Sequence, residues 1–287
     1  MKILSVEEIR KADAYTIEQE PIKSIDLMER AAKACVAWVL NAPALKGAKG
    51  QVSVFCGLGN NGGDGLAIAR LLAAKKFKVA VYIVRYSDKC SADFLVNEKR
   101  LKKVKAVKIH NITSAAGLAN CQLSTVNCCI DALFGSGLNK PIEGLAADAI
   151  KIINKSGCPV VSIDIPSGLF AEKNIHIKNA VIVRATHTLT FQAPKMSFLF
   201  PENAPYIGDL SVLDIGLNEE FISSLPSKNF FVRQVEASFL LKRRTTFSHK
   251  GTYGHALIVA GSHGKVGACV LASRACISSG AGLVTVH

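Results

Sequence analysis

The stretch Gln51–Arg70, QVSVFCGLGNNGGDGLAIAR, constrains the fold of this chain more than any other. Gln51–Cys56 alternates and is β-branched, which predicts a strand. Gly57–Gly65 reads as a loop with five glycines, two asparagines and one aspartate. Leu66–Ala74 then has the apolar spacing of a helix start. A strand, a glycine-rich turn and a helix N-terminus form a receptor for an anionic group, because backbone N–H groups converge there and the helix dipole favours negative charge.

The same loop fits the letters G-x-G-x-x-G at Gly57, Gly59 and Gly62, a weak pattern by itself. A dinucleotide fold of the usual kind places an acidic residue about 20 positions further on, at the end of the second strand. Here the second strand is expected over Lys78–Val84 and runs into Arg85 and Tyr86, with Asp88 late. Arg85 stands where it could serve a 2′-phosphate. The loop interior discriminates better. Asn60, Asn61 and Asp64 bring three oxygen-bearing side chains into five residues, which suits hydroxyl groups, an amide or a hard cation. A plain turn would use Asn and Gly only for positive φ and does not require the full Asn-Asn-Gly-Gly-Asp-Gly run.

At 287 residues the chain can hold one large α/β domain, or one domain and part of another. The nine cysteines are scattered and odd in number, with no C-x-x-C pair. That argues against a disulfide framework or a zinc site and for reduced thiols in a cytoplasmic protein. No run of about 18 uncharged apolar residues is present, so no membrane span is expected. The start, MKILSVEEIRKAD, meets charge by Glu7 and lacks the apolar core of a secretory signal. A net charge of +13 favours anionic partners. An aromatic content of 7% without a basic-aromatic block argues against a dedicated nucleic-acid binder.

Along the chain, Ser5-Val-Glu-Glu8 predicts a capping box and a helix to about Glu18, with Val6, Ile9, Ala12 and Ile17 on one stripe. A second helix is expected from Ser24 to about Leu40. After the glycine loop, strands over 79–84, 107–109, 126–132 and 159–165 alternate with helices over 92–101, 114–120 and 145–154. Further strands are expected over 181–183, 186–191 and 210–213. Such alternation implies a parallel sheet with helices on both faces. Ligands then sit outside the carboxyl ends of the strands. Three polar segments fall at those ends: Gly57–Gly65, Asp131–Pro141 and Asp164–Gly168. Asp131 follows the apolar run VNCCI, and Asp164 follows PVVSI. One such aspartate is as well explained as a cap or turn residue; two, each followed by a Gly/Ser loop, point to a site. Lys195 stands in a polar turn just past the strand ending at Phe191.

Five motifs in order, GLGNNGGDG, DALFGSGLNKP, DIPSG, THTLTFQAPK and YIGDLSVLDIGL, together resemble the NAD(P)H-hydrate epimerases over about residues 1–217. The resemblance implies an α/β fold, a Rossmann-like three-layer αβα sandwich with a mostly parallel central sheet. It implies interconversion of the R and S forms of hydrated NADH and NADPH. By motif, the substrate would be bound by Asn60, Asn61, Gly62, Gly63 and Asp64, by Gly135, Ser136, Gly137, Leu138, Asn139, Lys140 and Pro141, and by Asp164. A potassium ion would be held near Asn61, Asp131 and Ser167. The chemistry asks for a carboxylate near the ring, with Asp164 the first candidate as acid/base and Lys195 the second.

Residues 218–240 read as a linker. From there, SHKGTYGHALIVAGSHGKVGACVLASRACISSGAGLVTVH resembles the opening of the NAD(P)H-hydrate dehydratase domain, a ribokinase-like fold that uses ADP or ATP when complete. Residues 241–287 are expected to be an incomplete part of it without dehydratase activity of their own. The other readings are a non-catalytic nucleotide-binding or partner-binding module and an NAD(P)-dependent oxidoreductase. The N-terminal helices are available as a contact in a homodimer or higher oligomer.

Overall fold

The computed structural model describes residues 1–42, 50–121, 123, 126–172, 180–240 and 243–287. The chain divides into two units, Met1–Phe231 and Val232–His287. In the first, helix α1 (Val6–Gln19) opens with the expected capping box. The Ser5 hydroxyl accepts from the Glu8 amide at 3.2 Å, and the Glu8 carboxylate accepts from the Ser5 amide at 2.7 Å. Helix α2 (Ser24–Asn41) presents Leu27, Met28, Ala31, Cys35 and Val39 at helical spacing, and all are buried.

Strand β1 (Gln51–Cys56) follows, then α3 (Asn60–Ala74), β2 (Lys78–Val84), α4 (Ala92–Leu101), β3 (Val107–Ile112) and α5 (Ala115–Ala119). Next come β4 (Cys128–Ala132), α6 (Gly144–Lys155), β5 (Val160–Ile163), β6 (His187–Phe191), the short α7 (Ala204–Ile207), β7 (Asp209–Leu213) and α8 (Glu219–Ser224). The strands form one seven-stranded sheet in the order β3-β2-β1-β4-β5-β6-β7, and every neighbouring pair is parallel. Because side chains alternate across a strand, the sheet feeds two cores. Val52, Val54 and Cys56 face α2, α3 and α4. Phe55, Tyr82 and Cys129 face α5 and α6. This is a three-layer αβα sandwich.

The chain runs outward from β1 to β3 and then returns so that β4 pairs with the other side of β1. The order therefore reverses between β1 and β4, where an open parallel sheet leaves a crevice beyond its strand ends.

Three expectations need correction. The first is the loop over Gly57–Gly65, because α3 already begins at Asn60. The glycines permit this by close packing. A Cβ on Gly62 would lie 2.0 Å from the Gly57 carbonyl oxygen, and one on Gly65 2.6 Å from the Ala132 side chain. The second is the strand over 181–183. Those residues instead run beside Ser167 and Gly168, with the Val183 amide bonded to the Ser167 carbonyl at 2.9 Å. The third lies in the segment expected as a linker. It holds α8, capped by the Asn218 side chain on the Phe221 amide at 2.8 Å. Phe221 stacks on Tyr15 with ring centroids 4.3 Å apart.

The second unit carries α9 (Gln234–Leu240), β8 (His255–Ile258), α10 (Gly267–Ser278) and β9 (Leu283–Val286). Strands β8 and β9 are parallel neighbours joined through α10. Among the described residues of the whole chain, no helix is long and apolar enough to cross a membrane.

Candidate active site

A cavity of about 530 Å³ lies at the carboxyl ends of the strands in the first unit. The first turn of α3 forms one wall through Asn60, Asn61 and Asp64. The residue before this helix, Gly59, supplies no side-chain cap. The first-turn N–H groups are left for a ligand. The loop after β4 forms a second wall through Gly135–Asn139. It passes between two polar side chains, because a Cβ on Gly135 would stand 3.3 Å from both Asn61 Cγ and Asp164 Oδ2.

The third wall comes from the ends of β5 and β6. Asp164 and Gln192 both have positive φ, +64° and +59°. Each sits at the centre of a three-residue turn closed by a hydrogen bond, Ile165 amide to Ile163 carbonyl and Ala193 amide to Phe191 carbonyl. A non-glycine residue held this way costs about 1 kcal/mol or more and persists only where its surroundings enforce it. Two such turns on adjacent strands aim an acid and an amide into the same cavity.

Asp164 meets Lys195 at 3.0 Å, with the lysine side chain 2% exposed. Its other oxygen accepts from the Ser136 amide at 3.1 Å. Burial pushes the Asp164 carboxyl up, but the Lys195 ammonium and the Ser136 amide outweigh burial, and the net position is below the ordinary aspartate value. Asp64 behaves oppositely. Burial, then the charges of Asp164, Asp13 and Asp93, hold it well above the ordinary value.

Asp131 and Ser167 sit beneath the loop rather than on the cavity wall. Asp131 accepts from the Ser162 hydroxyl at 2.8 Å, and from the Ser167 amide at 2.9 Å and hydroxyl at 2.6 Å. Burial still leaves it above the ordinary value. Asn61 is buried with neither atom of its amide group bonded to a described residue. Among the described residues no cluster of three or more His, Cys, Asp or Glu side chains could hold a metal ion.

Of the residues singled out from the sequence, the cavity wall gathers Asn60, Asn61, Asp64, Gly135, Ser136, Gly137, Leu138, Asn139, Asp164 and Lys195. It does not include Gly62 or Gly63, which pack inward, or Lys140 and Pro141, which lie beyond it. Arg85 is engaged elsewhere, paired with Glu98 and bonded to Asn111 at 3.0 Å. The sequence reading missed Arg10 and Asp13 of α1, Tyr86, Phe134 and Gln192, all on the wall. Tyr86 and Phe134 stack with centroids 5.0 Å apart. For Asp13 a signal existed: it stands four residues from both Ile9 and Ile17, an acid inserted in the apolar stripe of the helix.

The family described as YjeF-related protein N-terminus matches residues 24–197. The chain is 36% identical over 283 residues to the bifunctional NAD(P)H-hydrate repair enzyme Nnr of Thermofilum pendens, covering 98% of this chain and 52% of that protein. It thus spans about half the length of the bifunctional relatives it matches. It is also 36% identical to the NAD(P)H-hydrate epimerase of Weissella koreensis, over 75% of this chain and 91% of that one. For the epimerase of Limosilactobacillus reuteri the values are 37%, 74% and 94%. The crystal structure of the yeast protein ynu0, YNL200c, superposes with a TM-score of 0.65 at 21% identity, covering 80% of this chain and 96% of that one. This last likeness concerns the fold.

Proposed function

The chain belongs to the YjeF-related N-terminal family, and from that premise we propose that it is an isomerase of nicotinamide-cofactor repair, interconverting the R and S forms of hydrated NADH and NADPH. The observation that carries this reading is the convergence of an uncapped helix start, a glycine loop and a buried Asp164–Lys195 pair on one cavity. Similarity to named epimerases over more than nine tenths of their length supports it.

The first turn of α3 supplies N–H groups and a dipole suited to the pyrophosphate. Asn60, Asn61, Asp64 and the 135–139 loop would enclose the rest of the substrate. Gly62 serves by letting the helix start close to the end of β1, and Gly63 by leaving room for Met28 and Phe94 of the neighbouring helices.

The reacting carbon carries the added hydroxyl and is bonded to the ring nitrogen. When the hydroxyl departs with a proton, the nitrogen lone pair completes a C=N bond and the carbon becomes planar. Water returning to the other face inverts the centre. Asp164, held ionised by Lys195, is suited to take the proton of that water.

A potassium ion would be held near Asn61, Asp131 and Ser167. The support for this reading is the buried Asn61 amide, which no described residue bonds. Asp131 and Ser167, now bonded to each other, would turn an oxygen from that bond toward the ion. The ion would add positive potential beside the bound dinucleotide. The second unit reads as the opening of a dehydratase domain, which takes ADP or ATP when complete. The match to the bifunctional relatives runs over 98% of the chain.

The test is direct. The S hydrate of NADH is incubated with the protein in potassium buffer, with a sodium control, and the R form is followed by chromatography. Equilibration well above the spontaneous rate is expected, faster with potassium. A folded sample that gives no acceleration overturns the assignment.

A further inference from the structure

We propose that Asp13 of α1 is a catalytic residue of this site, the proton donor to the hydroxyl that leaves the hydrated ring, acting as the partner of Asp164. The proposal rests on the epimerase reading above.

The local fold directs Asp13 at the cavity. Its neighbours Ala12 and Thr16 are fully buried. Thr16 is held from both sides, its hydroxyl donating to the Ala12 carbonyl at 2.7 Å and accepting from the Asn218 amide at 2.9 Å. That anchoring fixes the roll of α1, so Ile9, Arg10 and Asp13 line the cavity. Among the described residues Asp13 makes no hydrogen bond or ion pair. Asp164, by contrast, already holds Lys195 and the Ser136 amide. The buried ammonium is therefore taken, and a second carboxylate stands in the same cavity without a cation bonded to it.

The charged groups around Asp13 are Asp164 past β5, Lys195 past β6, Asp64 on α3 and Arg10 on its own helix. Burial first, and then the Asp164 charge, push the Asp13 carboxyl up to about 6, against the weaker opposing pull of Lys195 and Arg10. Asp164 is driven the other way by its lysine. Two acids whose surroundings separate them divide the roles, one entering the reaction protonated and the other ionised. Asp64, buried in the first turn of α3, is likewise held above the ordinary value by burial and then by the charges of Asp164, Asp13 and Asp93.

In the step itself the Asp13 proton passes to the ring hydroxyl. The C–O bond breaks and its electron pair leaves with water. The ring-nitrogen lone pair forms the C=N bond. A water then adds to the opposite face, the C=N pair returns to nitrogen, and the surplus proton goes to Asp164. The reverse epimerisation exchanges the two roles, and no oxidant or reductant is consumed.

The experiment measures kcat/KM for the S hydrate of NADH from pH 5 to pH 8.5, in potassium buffer, for wild type, Asp13→Asn, Asp13→Glu and Asp13→Ala. Wild type should lose rate as pH rises past about 6. Asp13→Asn should lose about 100-fold or more in rate and lose that pH limb. Asp13→Glu should retain the limb. Formate should restore part of the rate to Asp13→Ala, which a merely structural role would not allow. An active wild type whose folded Asn variant keeps both rate and pH limb, or whose Ala variant ignores formate, overturns the Asp13 assignment alone. A wild type without acceleration overturns the epimerase reading and the donor with it.

Discussion

Asp131 and Asp164 close neighbouring strands, each follows an apolar run, and each is buried, yet their surroundings are opposite. Asp131 stays in the strand β4 and is satisfied by neutral donors: the Ser162 and Ser167 hydroxyls and the Ser167 and Leu133 amides. Burial still lifts its carboxyl above the ordinary value. Asp164 leaves its strand through a positive φ of +64° and meets a buried ammonium at 3.0 Å, and its carboxyl falls below that value. Neutral donors tie chain segments together without fixing a charge, whereas the lysine holds an ionised oxygen at the cavity wall. The contrast teaches that one sequence signature can serve anchoring in one loop and hold a charged pair at the cavity wall in the next.

The sharpest way to break this comparison is to neutralise both acids. Asp164→Asn should reduce epimerisation by about 100- to 10,000-fold, the range for a lost acid/base, while the protein remains folded. Asp131→Asn should instead cost about 1–3 kcal/mol of stability, because its amide nitrogen would face a hydrogen-bond donor. Its turnover per folded molecule should change less. Parallel denaturation curves and initial rates check both, and equal loss of rate in the two variants would erase the distinction.

Lys195→Met comes next. It leaves Asp164 buried without its cation, a loss of about 3 kcal/mol at neutral pH. Since the pair depresses the Asp164 pKa, its stabilisation is complete above the ordinary 3.8 and is lost as pH falls through the lower folded value. The wild type should thus lead the variant most at neutral pH, and the gap should close in acid. In rate profiles the ionisation of Asp164 should move to higher pH in the variant.

The layered sheet was legible because its code is local. β-branched runs, their spacing and the capping box at Ser5 each act within a few residues. The start of α3 was not legible, because Asn-Asn-Gly-Gly-Asp-Gly has poor helix propensity. Only the close approach of Gly62 to Gly57 and of Gly65 to Ala132 explains a helix there. Asp131 and Asp164 were both visible as candidates, but not their difference, which depends on Ser162, Ser167 and a lysine far along the chain. Asp13 is a site residue only through tertiary packing, of Ala12 with Leu27, Ala31, Ile215 and Leu217 and of Thr16 with Asn218, and its insertion in the apolar stripe was the one local signal of it.

Ser167→Ala sharpens the anchoring side of the comparison. It removes the 2.6 Å bond to Asp131 and the acceptor for the Phe134 amide at 2.9 Å. The remaining Ser162 hydroxyl and Ser167 amide limit the loss to about 1–2 kcal/mol. If Ser167 also serves the proposed potassium ion, the stabilisation of the fold by potassium over sodium should shrink, as read by melting in the two salts.

The smallest effect runs in the stabilising direction. Asp13 is pushed up to about 6 in the fold, against an ordinary 3.8. The folded protein therefore holds this proton more tightly than the unfolded chain, and wild-type stability declines as pH rises from about 4 to about 6. Above that range an unpaired carboxylate stays beside the ionised Asp164. Asp13→Asn removes this penalty and should raise stability near pH 7.5 by about 1–2 kcal/mol, the full shift being discounted for access to solvent at the cavity edge. For a unit of this size that corresponds to a rise in Tm of about 2–6 °C. The gain should fade toward pH 4.5, where the wild-type acid is protonated in the fold. A gain that is independent of pH, or none at all, would place Asp13 with ordinary surface carboxylates and remove the electrostatic basis for pairing it with Asp164. A pH-dependent gain accompanied by lost turnover would show a residue that the fold tolerates at a cost because the reaction uses it.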